Sequence, residues 1–204
     1  MTLRKTLLIS SISALSIMAN PTHAMNFTTT FTGDNFVNSF SFNDDGTPFY
    51  QLIDTTGLSG SQAWTDSSTL SLTLNDYSQY EFIWQTTNAS GPAAFLADIT
   101  LGNMSYSTST DPNIWSYSAD GINWASVTSY GQNGVSPWGT ISAINPNAEW
   151  IWDDAYQTNE SLYLKASITS PVPEPSTYGL MLGGLGLVGF MANRRRQNKQ
   201  RASI

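Results

Sequence analysis

The chain has 204 residues, no cysteine and a formal net charge of −7, and that charge is spread very unevenly. Seven of the eight cations lie near the two ends, so residues 25–170 set fourteen carboxylates against Lys165 alone, a net charge of about −13. A body this acidic repels phosphate backbones and excludes nucleic-acid partners, while divalent cations and neutral, hydroxyl-rich ligands remain compatible.

The first segment reads as a secretory signal. Arg4 and Lys5 precede the apolar run Thr6–Ala19, and Pro21 and Thr22-His23-Ala24 follow it. Cations held on the cytoplasmic side, a short helix able to enter the bilayer and small residues at a peptidase cleft come in the required order. Residues 1–24 are therefore expected to be a signal peptide handled by the Sec machinery, with signal peptidase cutting between Ala24 and Met25. The only histidine, His23, is removed with it. A body without His or Cys has no His-assisted serine catalysis, no cysteine nucleophile and none of the usual zinc or copper sites.

Residues 25–170 form one domain, large enough to bury roughly 68–70% of its unfolded surface without disulfides. Period-two alternation recurs along it. Leu70, Leu72 and Leu74 share one face, Tyr80, Phe82 and Trp84 a second, Phe95, Ala97, Ile99 and Leu101 a third, and Leu162, Leu164, Ala166 and Ile168 a fourth. Weaker alternation runs through 27–31, 36–42, 115–117, 124–128 and 149–152. Gly/Asn/Asp-rich turn signals separate these runs, at 43–46, 55–57, 88–92, 119–121 and 131–134. Many short strands joined in this way predict an all-β, antiparallel β-sandwich with the alternating aromatics between its two sheets.

Within this body, Gly33-Asp34-Asn35, the segment 82–97, Trp115–Gly121 and Glu149-Trp150-Ile151-Trp152 resemble extracellular domains of the galactose-binding-like, jelly-roll class. That resemblance implies a sandwich that often binds carbohydrate and often a structural calcium ion, on a fold that hosts other functions as well. The loop-like surroundings of Trp64 and Trp138 make them the ligand candidates, because an indole face stacks on the apolar face of a sugar ring. A plug at the open end of the sandwich is the alternative role for both. Asp44, Asp45 and Asp120 lie in oxygen-rich turns suited to calcium, which ordinary Asx turns explain as well. Asp98, Glu149, Asp153 and Asp154 are the carboxylates from which a glycosidase pair would have to come.

The last segment, 171–204, changes character. Pro171, Pro173 and Pro175 each fix φ and lack an N–H donor, which favours extended chain of the kind a protease groove binds. An apolar, glycine-interrupted stretch follows, expected as a transmembrane helix over about 177–193, and Arg194-Arg195-Arg196 opens a basic end, 194–204. Cations after an apolar stretch stay cytoplasmic, so the acidic body lies outside. The run Val172-Pro173-Glu174-Pro175-Ser176, then the helix, then the three arginines, resembles the PEP-CTERM sorting signal. The resemblance implies recognition by an exosortase, a membrane-embedded cysteine transpeptidase of Gram-negative bacteria that make exopolysaccharide, with cleavage near Pro173-Glu174-Pro175. The expectation is an exported protein, anchored transiently in the inner membrane and then at the cell surface or outside. It is expected to be non-enzymatic and to bind extracellular polysaccharide without a cofactor, calcium aside. A structural matrix protein with no defined ligand, or a carboxylate-dependent glycoside hydrolase or lyase, are the alternatives.

Overall fold

A computed structural model describes residues 24–44, 50–58, 64–75, 77–155, 160–170, 179 and 181–191. The chain divides into a compact unit, His23–Pro173, and a second unit made of Met1–Thr22 and Glu174–Ile204. In chain order the strands of the first are β1 (Ala24–Asp34), β2 (Phe36–Asn43), β3 (Gln51–Asp54), β4 (Ser68–Asn75), β5 (Gln79–Thr87) and β6 (Ala94–Leu101). There follow β7 (Met104–Ser107), β8 (Trp115–Ser118), β9 (Ala125–Ser126), β10 (Thr128–Gln132), β11 (Glu149–Trp152) and β12 (Ser161–Thr169).

These strands make two six-stranded sheets. One has the order β10-β11-β6-β1-β4, with β7 also on β6; the other runs β3-β2-β5-β12-β8-β9. Every pairing is antiparallel. The alternation read from the sequence decides which face turns inward: Tyr80, Phe82 and Trp84 on β5 and Leu164 and Ala166 on β12 are fully buried, and Glu81, Ile83, Gln85, Tyr163 and Lys165 between them face outward and are half-buried. The inward aromatics of both sheets stack in one core, with Phe27 against Phe82 at 4.3 Å and Trp84 against Phe40, Phe95 and Trp115 at 5.2–5.8 Å between ring centroids. Sheet-to-sheet burial of this kind makes the fold an antiparallel β-sandwich.

Buried hydroxyls are absorbed by the backbone: Thr55 Oγ1 donates to the Val37 carbonyl at 2.6 Å, Thr86 Oγ1 to Leu162 at 3.1 Å and Thr29 Oγ1 to Asp98 at 2.9 Å. Such bonds remove the cost of burying a polar group in the core.

A second, smaller core lies on the outer face of the first sheet. Ala94 and Leu96, which point away from the main core, are covered by Trp138, Ile141, Ile144, Ala148 and Trp150. Asn133 ties down the loop that carries most of these residues: its Nδ2 donates to the Ile141 and Ile144 carbonyls, both at 2.9 Å, and its Oδ1 accepts from Ile141 N at 2.8 Å.

Strands β3 and β10 have no alternating signature in the sequence, and that of β7, Met104-Ser105-Tyr106-Ser107, spans four residues only. The expected turn at 131–134 begins two residues late, because β10 runs through Gln132 and the register against β11 slips between Ser129 and Gln132. An extra residue in one strand is a β-bulge, and Gly131, at φ 116°, occupies a conformation that L side chains rarely adopt. The expected run 124–128 is broken at Val127, which separates β9 from β10. Trp150 and Trp152 are both fully buried, but in different cores: Trp150 joins the small outer cluster and Trp152 the main one.

Candidate functional site

The C-terminal segment leaves the sandwich from a central strand. All nine residues of β12 pair with β5, and β8 holds its other edge. Ser170 is still part of the fold, buried, with its N–H donating to the Ser78 carbonyl at 2.9 Å. The folded body thus holds the chain to the residue before Pro171. Val172, Pro173, Glu174, Pro175, Ser176 and Arg194–Arg196 lie outside the described residues, as do residues 1–23 of the expected signal peptide. Ala24 is the first residue of β1, and Met25 sits opposite Leu74, so a cut between them removes one strand residue only.

Residues 181–191 are helical, and Met181, Leu182, Leu185, Leu187, Val188, Phe190 and Met191 are all exposed. A helix with apolar side chains on every side suits a lipid or protein surrounding rather than water. Among the described residues no helix is long and apolar enough to cross a membrane. The flanks of the span expected at 177–193 lie outside them.

The two tryptophans expected to meet ligand are brought together, but not as open platforms. Trp138 is only 3% exposed, stacked on Trp150 at 5.2 Å, and Trp64 packs half-buried against the same cluster. The expectation that Trp138 offers a stacking face is corrected: its ring covers the outer face of β6. The signal was legible, because Ala93-Ala94-Phe95-Leu96-Ala97 is continuously apolar, the pattern of a strand buried on both faces, which needs a cover.

Trp138 Nε1 donates to Asp34 Oδ2 at 2.9 Å, joining the loop to the end of β1, and Asn35 Nδ2 donates to Oδ1 at 2.8 Å. Burial pushes the Asp34 carboxyl above its usual value, and the Trp138 bond offsets part of that rise. The folded chain therefore holds this proton more tightly than the unfolded chain does. Asp34 costs stability above its folded pKa, and that cost disappears as pH falls through it. Comparing melting temperatures of wild type and Asp34→Asn from neutral pH downward, we expect the difference to move in favour of wild type on acidification. A pH-independent difference would contradict this.

The candidate calcium ligands do not converge. Asp44 is buried, with Oδ2 accepting from Asn75 N at 2.8 Å; Asp45 lies outside the described residues. Asp120 accepts at Oδ1 from Ser118 Oγ, Ile122 N and Asn123 N, each at 2.8 Å, and at Oδ2 from Asn123 Nδ2 at 2.6 Å. Those bonds, led by the two backbone N–H groups, hold its carboxyl far below the usual range. Asp44 follows β2 and Asp120 follows β8, with β5 and β12 between these strands, about 14 Å at ordinary strand spacing. One ion cannot bridge them, and Asp120 is an Asx turn. Among the described residues no group of three Asp or Glu is placed to hold a metal.

The other carboxylates are dispersed into local roles. Asp98 accepts from Ser107 Oγ and Asn145 N, both at 2.6 Å. Asp153 takes Ala155 N at 2.8 Å and is raised by burial and by Glu160 beside it, while Glu160 accepts Trp152 Nε1 at 3.1 Å. Glu149 has one buried oxygen without a hydrogen bond. Asp154 is exposed.

An open cavity of about 340 Å³ lies instead on the outer face of the second sheet, among Asn113, Ser116, Trp124, Ser126, Lys165 and Ser167. Lys165 Nζ stands 4.2 Å from the centroid of the Trp124 ring and 3.0 Å from Glu81 Oε1; Tyr50 donates its hydroxyl to Glu81 Oε2. Burial alone would raise the Glu81 carboxyl, but the bonds from Tyr50 and Lys165 together bring it below its usual value, so Glu81 is a carboxylate at neutral pH. Sequence reasoning passed over Trp124. The available signal was Lys165, the only cation of the body, at an outward position in the middle of a strand.

Residues 171–196 match the family model for the PEP-CTERM protein-sorting motif. The motif supports an exported protein, anchored transiently in the membrane and processed by an exosortase. No curated protein and no solved structure matches the chain, so the jelly-roll resemblance gains no structural relative.

Proposed function

We propose, from a chain whose residues 171–196 carry a PEP-CTERM sorting motif, that the sandwich is a non-catalytic carbohydrate-binding module delivered to the cell envelope or exopolysaccharide matrix. The tail acts as a transient membrane span during delivery, and the body works without metal or cofactor. The observation that carries this reading is the junction at Ser170, where a fully paired β12 ends and the sorting motif begins. A folded cargo and a removable address meet without a linker between them. Exosortase processing belongs with exopolysaccharide production, and an acidic body with an open cavity beside a tryptophan favours hydroxyl-rich, uncharged ligands.

The test applies the purified exported protein to an array of neutral and acidic glycans, and in parallel assays reducing-sugar release from the matrix polysaccharide of the producing cells. Binding without sugar release is expected. Release would make the protein a hydrolase, and neither binding nor release would make it a structural matrix component.

A further inference from the structure

We propose that the free edge of β4 pairs antiparallel with β4 of a second copy of this chain, about a twofold axis through Ser71, joining the first sheets of two sandwiches into one continuous sheet. The inference goes beyond the carbohydrate reading and does not depend on it.

β4 ends its sheet: β1 holds one side of it, and among the described residues no strand lies on the other. Which groups face outward follows from the ladder. The Asn26 carbonyl on β1 turns to the β6 side, where Gly102 N–H donates to it at 2.8 Å, so the even-numbered residues of β1 bond to β6 and the odd-numbered ones to β4. Phe27 and Thr29 stand opposite Leu72 and Leu70. Leu70 and Leu72 therefore direct their backbone groups to β1, and Thr69, Ser71 and Thr73 turn theirs outward. Asn75 follows the same rule, since its N–H donates to Asp44 Oδ2 at 2.8 Å instead of to β1. Thr69, Ser71 and Thr73 meet no such stop among the described residues.

The order of residues along the strand identifies the occupant. Thr69-Leu70-Ser71-Leu72-Thr73 reads the same in both directions, so antiparallel pairing centred on Ser71 sets serine opposite serine, leucine opposite leucine and threonine opposite threonine. One patch then serves both copies, as a twofold interface requires. Ser71 exchanges N–H···O bonds with the partner's Ser71, and Thr69 and Thr73 do so with the partner's Thr73 and Thr69. Leu70 and Leu72 pack on the main core but stay half-buried at this edge, and the partner's Leu72 and Leu70 cover them. On the outer face the Thr69 and Ser71 hydroxyls are already bonded to those of Thr30 and Thr28, at 3.0 and 3.2 Å, which leaves the edge unobstructed. Natural sheets keep their edges apart with lysines, prolines or bulges, and β4 has none of these. It is also uncharged, so the patch adds no repulsion of its own to that between two bodies of about −13.

Sedimentation equilibrium of the exported protein over a range of concentrations is expected to show monomer and dimer, with the dimer favoured by added salt, which screens the two acidic bodies. Ser71→Pro is expected to abolish the dimer with little change in melting temperature, because an outward N–H on an edge strand can be lost without breaking the monomer's own ladder. Ser71→Cys supplies a test that does not depend on that variant folding. The chain has no cysteine, and residues paired across the axis lie about 5.5 Å apart at Cα, within disulfide range. Mild oxidation is therefore expected to link Ser71→Cys into a covalent dimer about tenfold faster than Thr100→Cys, which is exposed on the same sheet two strands away. A protein that stays monomeric at every concentration, or a dimer that survives Ser71→Pro undiminished, overturns the proposal. Equal cross-linking of the two cysteine variants overturns it by placing the contact elsewhere. Slow hydrogen exchange at the Thr69, Ser71 and Thr73 amides of a monomer overturns it by assigning the edge to another segment of the same chain.

Discussion

Replacing Pro173, Glu174 and Pro175 together by alanine is expected to leave the exported chain unprocessed, with essentially all of it accumulating in the inner membrane at precursor length. The wild-type chain, by contrast, should be recovered with Met25 at its N-terminus and a C-terminus near Pro173–Pro175. Intact-mass measurement on membrane and extracellular fractions reads both ends at once. The reason is chemical: the prolines of residues 171–175 withhold N–H donors and fix φ, which favours the extended chain a peptidase binds, and the variant removes two of the three, Pro173 and Pro175, in favour of a run of alanines that prefers helix. Cleavage there should leave the body untouched, because each β12 residue keeps its partner on β5 and Ser170 keeps its bond to Ser78. The processed protein and a chain ending at Ser170 should therefore melt at the same temperature. Equal processing of the alanine variant would remove the motif from any role in sorting.

Trp84→Ala is expected to cost about 3–5 kcal/mol, a large share of the roughly 5–15 kcal/mol available to a domain. Trp84 is fully buried in β5 and contacts rings from β1, β2, β6 and β8, so its removal opens a void that both sheets line. Trp84→Phe should cost less than half as much. The Trp84 Nε1 is buried without a hydrogen bond, so the smaller ring gives up volume but no polar interaction. Trp115 gives the contrast, since its Nε1 donates to the Ser107 carbonyl at 2.9 Å and Trp115→Phe leaves that half-buried carbonyl short of a donor. Urea denaturation of the three variants measures these differences. Equal losses for Trp84→Phe and Trp84→Ala would show that the core does not depend on filling this position.

The sandwich itself was legible because alternation is a local property. On β5, Tyr80, Phe82 and Trp84 point one way and Glu81, Ile83 and Gln85 the other whatever the partner strand is, and β12 repeats the pattern around Lys165. The short strands β3, β7 and β10 were not read from the sequence: Gln51–Asp54 carries no apolar alternation, Met104–Ser107 alternates over four residues only, and both are strands because β2 and β6 hold them by hydrogen bonds. Trp138 looked like a loop residue, and it is one; what the loop covers depended on Leu96, more than forty residues earlier.

The amino-acid order alone determined the sorting motif at the C-terminal end, the acidic charge of the body and the inward face of each long strand, since charge, proline stereochemistry and period-two alternation act between near neighbours. Only the tertiary structure decided that Trp138 is the cover, that Asp44 and Asp120 stand apart, and that Lys165 meets both Trp124 and Glu81. Each of these depends on strand order within a sheet or on a loop crossing it, and a local pattern can show that a strand face needs a cover without saying which distant residue supplies it.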